Sequence, residues 1–280
     1  MQPRTCRTPS AADLDAYRRD GFHVARSLFP GEEIAALREA AMTQASLGPV
    51  PGLYDEYHHF GNDDPLSRYP RMLMPHRQSN LEIGRLAEHY MFDQRLYGWL
   101  KAFLGDVPCA AQSMFYFKPS GARGQDLHQD DYYLRSAPAP CLAAWIAVDR
   151  ADDENGGLRV AVGSHRLPLL PTRQADLSTS FTDDGVDVPA GMAMAAPVLE
   201  PGDVLFFGGA VIHGSGPNRS QDRFRRSFIC HYVGASTTHI NPWNRPLETF
   251  DRRVIQVAVA ENGPWQDSFA AGRTQLNRLH

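Results

Sequence analysis

Residues 110–117 read Ala110-Ala-Gln-Ser-Met-Phe-Tyr-Phe117, and at this stretch the periodicity of the chain changes. Before it, apolar residues recur every three or four positions. From residue 109 onward they gather into short β-type runs bounded by Gly, Pro and Asp clusters. Cys141–Val148, Leu158–Val162, Val204–Phe207 and Ser227–Val233 are the others of this kind. Helices first and strands second indicate an α+β protein with a mainly β core, not alternating βαβ units. Many short strands in one continuous stretch point to a barrel or jelly roll.

Working back toward the N-terminus, Ser10-Ala-Ala-Asp13 has the form of a capping box and opens a helical region. Gly31 to Leu47 places Ile34, Leu37 and Ala41 at spacings of three and four, has Glu32 and Glu33 in its first turn, and stops at Gly48. Asp93 to Leu104 repeats that design, with Leu96, Leu100, Phe103 and Leu104 on one face and Gly105 after it. No repeat, low-complexity tract or linker divides the chain. A single domain over residues 1–280 is therefore expected, with a helical flank at about 10–105, a jelly-roll core at about 109–235 and a C-terminal extension at 236–280. Two long irregular stretches, Pro49–Asn80 and Leu167–Pro197, have the length of functional lids.

Composition narrows the function. In 280 residues, 28 Lys and Arg stand against 32 Asp and Glu, a net charge of −4. A weakly acidic chain lacks the surplus of cations that nucleic-acid or anionic-membrane binding requires. No apolar run reaches the 18 or so residues of a membrane span, and no apolar segment follows the N-terminus as in a secretory leader. A cytoplasmic protein, monomeric or homodimeric, acting on a small molecule is expected. Cys6, Cys109, Cys141 and Cys230 are far apart and form no C-x-x-C pair, so they read as reduced packing residues.

Chemistry enters at Leu127-His-Gln-Asp130. In an extended segment residues i and i+2 point the same way, so His128 and Asp130 can present an imidazole and a carboxylate to one ion, with Asp131 facing away. A third ligand must come from elsewhere. His213, at the end of Val204-Leu-Phe-Phe-Gly-Gly-Ala-Val-Ile-His213, would cap a strand at a barrel rim; His165 and His231 compete for the role. Two histidines and one carboxylate on one face leave three coordination positions open, as in non-haem Fe(II) oxygenases. Arg225, in Asp222-Arg-Phe-Arg-Arg-Ser-Phe228, could fork onto the distal carboxylate of a dicarboxylic cosubstrate; Arg223 and Arg226 would lie on the opposite face in solvent.

These residues belong to a longer ordered set: Gln112-Ser-Met-Phe-Tyr-Phe-Lys-Pro119, Leu127-His-Gln-Asp130, Ala144-Trp145, Glu154-Asn-Gly-Gly157, Gly163-Ser-His165, Pro201-Gly-Asp203, and His213-Gly-Ser-Gly216 through Phe224-Arg225. In that order the chain resembles the phytanoyl-CoA dioxygenase family of Fe(II)/2-oxoglutarate-dependent oxygenases over residues 112–232. Tyr17-Arg-Arg-Asp-Gly-Phe22 resembles that family's first helix and strand. The resemblance implies a cupin-like double-stranded β-helix with flanking N-terminal helices, and Fe(II) held by His128, Asp130 and His213. It further implies that 2-oxoglutarate chelates the metal and meets Arg225, with Ser215 as a hydroxyl partner and Gln112, Met114 and Trp145 as pocket walls. The segment from His213 to Arg225 is one residue longer than the family spacing, which keeps Arg223 open as the clamp. The Asn155-Gly-Gly157 and Pro201-Gly-Asp203 turns are given no chemical role.

The expected activity is O2-dependent hydroxylation of an unactivated C–H bond in a small molecule, for example of secondary metabolism, with release of succinate and CO2. Asp130 favours this outcome, because related halogenases have no carboxylate at that position. Two other classes stay open: a jelly-roll hydrolase or isomerase using the triad for another divalent metal, and a non-catalytic metal-binding module. Only the oxygenase needs the dicarboxylate clamp of Arg225 and Ser215. For the substrate, Pro49–Arg77 offers a density of aromatic, histidine and arginine side chains, of which Tyr57, His59 and Arg71 are the candidates.

Overall fold

The computed structural model describes residues 8–55, 60–261 and 263. The β runs pair into two antiparallel sheets. In the larger, the strand order is Phe22–Ala25, Val204–Gly208, Leu142–Ala147, Ser227–Gly234, Pro108–Tyr116, Leu247–Thr249 and Val254–Ile255, with Met72–Leu73 also paired to Pro108–Tyr116. The smaller runs Gln125–His128, His213–Ser215, Leu158–Ala161, Met194–Ala195. This is the expected jelly-roll core, flanked by helices.

The central strands are apolar throughout because the larger sheet is covered on both faces. Alternation sorts their side chains. Phe115, Phe117, Ala144, Ile146, Phe206 and Phe228 face outward and pack against Ile34, Leu37, Tyr90, Leu96, Trp99 and Leu100 of the flanking helices. Met114, Trp145, Leu205, Phe207 and Ile229 face inward, where they meet Leu158 and Val160 of the smaller sheet. The functional residues stand among this second set.

The helices end where the sequence says they should. Ser10 Oγ accepts from the Asp13 N–H at 3.2 Å while the Asp13 carboxylate accepts from the Ser10 N–H at 2.8 Å, the reciprocal capping box. The helix Gly31–Leu47 buries Ile34, Leu37, Ala40 and Ala41, and Gln94–Leu104 is capped by Asp93 and closed by Gly105 in the left-handed region.

Two expectations need correction. The N-terminal flank is not purely helical: Phe22–Ala25, the first strand that the resemblance implies, and Met72–Leu73, which the pattern does not signal, leave it to extend the larger sheet. The Pro201-Gly-Asp203 turn anchors the first of these strands. The Asp203 carboxylate accepts from the Ser27 N–H at 2.7 Å and from Arg26 Nη1 at 2.7 Å, and Gly202, at φ +89°, comes so close to the Phe29 carbonyl that a Cβ would lie 2.0 Å from its oxygen. Nor is 49–80 irregular throughout, because it carries the short helix Pro65–Arg68, that two-residue strand and a 3-10 turn at Pro75–Arg77. Cys109, Cys141 and Cys230 are free and buried, as expected; Cys6 lies outside the described residues.

Trp99 is fully buried between the sheet and the flank, stacked on Phe206 with ring centroids 5.8 Å apart. Trp99→Ala should lower the unfolding free energy in urea by about 3–5 kcal/mol through the cavity it leaves, whereas Leu47→Ala on the surface should change it by less than about 0.5 kcal/mol.

Candidate active site

The chain brings its histidines together by changing sheets. After Val204–Gly208 in the larger sheet, residues 209–212 cross to the smaller one, and His213 opens the strand His213–Ser215, registered opposite His128. The two rings sit 4.3 Å apart, centroid to centroid. Gln129 is extended (φ −122°, ψ 120°), so Asp130, the first residue of the short helix Asp130–Leu134, comes to the same side as His128. His213 therefore begins a strand instead of ending one, and at 3% exposure it is not at a rim.

His128 Nε2 lies 3.5 Å and His213 Nε2 3.6 Å from the same oxygen, Asp130 Oδ1. One donor atom from each of the three residues falls within 4.8 Å of the others. Neighbours orient the rings. His128 Nδ1 is 2.8 Å from the Asp126 carbonyl and His213 Nδ1 3.1 Å from that of Val211. A carbonyl only accepts, so each Nδ1 carries the proton and each Nε2 turns its lone pair inward. The Gln125 amide, 3.2 Å from His128 Nε2, donates to that lone pair. Burial pulls the His213 pKa down to about 4 against the opposing pull of Asp130, so the imidazole is neutral. For Asp130, burial alone would raise the pKa, but the surrounding imidazoles, His231 among them with its hydrogen bond to Oδ2, outweigh it and hold the carboxylate well below the usual range. Two imidazoles and a carboxylate on one side of a cavity fit a divalent ion with open positions.

The competing histidines are elsewhere. His231 is fully buried on the far side of the carboxylate, its Nε2 3.0 Å from Asp130 Oδ2, which leaves Oδ1 to face the other two rings. His165 sits at the end of the first helix, its Nε2 3.1 Å from the Arg18 carbonyl. Asp131 faces away, as the alternation requires, and its Oδ1 accepts from Ser136 Oγ at 2.7 Å.

Beside this cluster lies a pocket lined by Met114, Tyr116, Trp145, Phe181, Ser215 and Arg225. Arg225 is 4% exposed; its Nε donates to the Gly156 carbonyl at 3.2 Å and its Nη1 to Ser227 Oγ at 2.8 Å, and its guanidinium carbon stands 5.5 Å from the Trp145 ring. Burial draws its pKa to about 10, so it remains a cation, and among the described residues it pairs with no carboxylate. A buried guanidinium whose Nη2 makes no hydrogen bond among the described residues fits an incoming carboxylate. Arg223 points to the surface and is held by Asp152 at 2.9 Å. Arg226, expected in solvent, is instead largely buried against Asp149 at 2.6 Å. Gln112 is one step deeper, opposite His231 in the strand register, with its Oε1 buried and unbonded.

Sequence reasoning missed the backbone's part in this pocket. Asn155 donates through Nδ2 to the carbonyls of Arg150 at 2.7 Å and Phe224 at 3.2 Å, fixing the chain next to Arg225. The Gly156 carbonyl then accepts from Arg225 and, at 3.3 Å, from Lys118. A turn expected to have no chemical role thus holds both basic side chains; Asn-Gly-Gly signals a turn but not what its carbonyls meet.

Of the substrate candidates, Tyr57 and His59 lie outside the described residues. Arg71 is buried and not an open loop cation: its Nε pairs with Asp55 at 2.7 Å and its Nη1 donates to the Tyr116 hydroxyl at 3.3 Å. Its guanidinium also lies 5.7 Å from the ring of Phe181, a residue of the opposite long stretch. Both stretches therefore reach the pocket wall. Other described residues of the two stretches act as fasteners: Arg77 donates to the Trp243 carbonyl at 3.3 Å and Leu170 N–H to Gln129 Oε1 at 2.7 Å.

The sequence model of the family "Phytanoyl-CoA dioxygenase (PhyH)" matches residues 17–227, three quarters of the chain, with His128, Asp130, His213, Ser215 and Arg225 inside the match. The chain belongs to the phytanoyl-CoA dioxygenase family. Like other members of this family it is an Fe(II)- and 2-oxoglutarate-dependent oxygenase. It is 26% identical over 262 residues to the peroxisomal phytanoyl-CoA dioxygenase of Bos taurus, covering 91% of this chain and 71% of the relative. Ectoine dioxygenase of Halomonas elongata is 27% identical, over 79% of this chain and 69% of that one. The fold is shared with the non-heme alpha ketoglutarate dependent carbocyclase SnoK from nogalamycin biosynthesis, with a TM-score of 0.66, 20% identity and coverage of 85% and 89%. Among the described residues no helix is long and apolar enough to cross a membrane.

Proposed function

We propose that this family member hydroxylates an unactivated C–H bond of a small molecule, with His128, Asp130 and His213 as the iron ligands and Arg225 and Ser215 receiving the distal carboxylate of 2-oxoglutarate. The convergence of two imidazole Nε2 atoms on Asp130 Oδ1 carries the reading. Fe(II) bound there, with 2-oxoglutarate and O2, supplies the oxidising power and releases succinate and CO2. The residues position and protect. The Asp126 and Val211 carbonyls fix the imidazoles, His231 turns the carboxylate, and Met114, Trp145 and Ile229 keep water from the reacting centre.

Residues 1–280 form one oxygenase domain in this reading. Arg71 belongs to the substrate wall with Tyr57 and His59. Because Asp55 already neutralises Arg71, a carbonyl or hydroxyl suits it better than a second anion. The low net charge supports a dissolved substrate, and the buried free thiols suit a reducing cytoplasm; the chain would act as a monomer or homodimer. A hydrolase or isomerase using the same triad would have no need of the unpaired buried cation at Arg225.

Anaerobic Fe(II) plus 2-oxoglutarate should give the weak visible charge-transfer band of a chelated 2-oxo acid. His213→Ala should abolish it, whereas His231→Ala should keep it with iron affinity reduced about 10- to 100-fold. The reverse pattern would overturn the ligand assignment.

Arg225→Gln should raise the KM for 2-oxoglutarate by removing a desolvated charge pair worth about 2–5 kcal/mol. Arg223→Gln, which breaks only half-exposed ion pairs, should change KM by less than about fivefold. Equal effects at both positions would show the clamp to be misplaced.

A further inference from the structure

Lys118 is the one buried lysine of the described residues, 2% exposed, and nothing in the reaction outlined above uses it. It follows the inward-facing end of Pro108–Tyr116 and sits behind Ser215, outside the wall of the cosubstrate pocket. Its Nζ has three oxygens around it: Ser215 Oγ at 2.7 Å, the Gly216 carbonyl at 2.7 Å and the Gly156 carbonyl at 3.3 Å. Three acceptors match the three N–H bonds of an ammonium. Among the described residues no carboxylate pairs with it.

Two consequences follow from elementary hydrogen-bond valence and charge. Ser215 Oγ accepts from Lys118 Nζ and also from the Gln125 N–H at 3.3 Å. Both its lone pairs are then engaged, and its O–H can act only as a donor, from a residue that lines the pocket. Lys118 and Arg225 also share the Gly156 carbonyl, so the two cations are no further apart than those two hydrogen bonds laid end to end. Like charges held this close in a buried place repel. Burial and then Arg225 press the Lys118 pKa well below the usual lysine value. An anion at the pocket end relieves the repulsion while leaving Nζ its three acceptor oxygens.

We propose that Lys118 is a positioning residue for the distal carboxylate of the cosubstrate: it commits the Ser215 hydroxyl to donation and makes that end of the pocket doubly cationic, so that the site selects a dicarboxylic over a monocarboxylic 2-oxo acid. The inference rests on the reading of the Arg225 pocket as the 2-oxoglutarate site. Gly156 is part of the same arrangement. At φ +76° a side chain there is strained, and a Cβ would lie 2.8 Å from Lys118 Cδ, so the glycine leaves the lysine its channel.

The test titrates the anaerobic Fe(II) protein with 2-oxoglutarate and, separately, with 2-oxovalerate, which has the same chain length and no distal carboxylate, following the visible band. Lys118→Met should weaken 2-oxoglutarate about 10- to 100-fold, the weight of a charge-assisted hydrogen bond, while leaving Fe(II) and 2-oxovalerate affinity within about threefold. Lys118→Gln, a milder change that keeps a donor for Ser215, is read by the same ratio should the methionine variant not fold. A variant that retains wild-type affinity for 2-oxoglutarate, or loses affinity for both acids in proportion, overturns the proposal. If instead the wild type does not distinguish the two acids, or Arg225→Gln leaves their ratio unchanged, the pocket reading itself falls and the role of Lys118 with it.

Discussion

The interaction on which the rest of this structure depends is the burial of one negative charge. Asp130 is 1% exposed, and an ionised carboxylate taken out of water costs several kcal/mol unless other groups compensate it. Here three imidazoles surround it, two at Oδ1 and one at Oδ2. None of the three is supplied by the same strand. His128 and His213 are neighbours in the smaller sheet and His231 stands in the larger, so the hydrogen bond from His231 to Oδ2 and the ligand set at Oδ1 come together only when the sheets face each other in this register. A divalent ion at Oδ1 would complete the compensation and so couple metal binding to the closing of the two sheets.

The pocket next to it has the opposite sign. Arg225 and Lys118 are buried basic side chains that find carbonyl and hydroxyl oxygens but no carboxylate among the described residues. A site with an anion at one end and two cations at the other is matched to a metal ion bridged to an anionic ligand. The Asn155-Gly-Gly157 turn organises this end of the pocket, since Asn155 binds the Phe224 carbonyl and the Gly156 carbonyl accepts from both Arg225 and Lys118. Pocket polarity is thus set as much by main chain as by side chain.

Much of this was legible beforehand, for reasons that differ by element. The central strands were visible because strands covered on both faces are uninterrupted apolar runs, and the helix ends because Ser10, Asp93, Gly48 and Gly105 carry capping chemistry. His128 and Asp130 stood out as a His-x-Asp pair, and His213 and Arg225 as polar residues at the ends of such runs. The strands that carry the histidines did not, because Gln125–His128 and His213–Ser215 are short, polar and defined by pairing across 85 positions of chain. The same holds for Arg226, whose partner Asp149 comes from another strand's end, and for Lys118, whose acceptors are mostly backbone. Sequence pattern reports burial; it does not report partners.

The central claim is that this chain couples the decarboxylation of 2-oxoglutarate to reduction of O2 at the His128, Asp130 and His213 cluster. The most direct measurement is the isotopic composition of succinate formed from 2-oxoglutarate under 18O2 by the Fe(II) protein. The account predicts succinate carrying one labelled oxygen atom, formed with Fe(II) and not with Zn(II). Unlabelled succinate, or equal turnover with Zn(II), would contradict it.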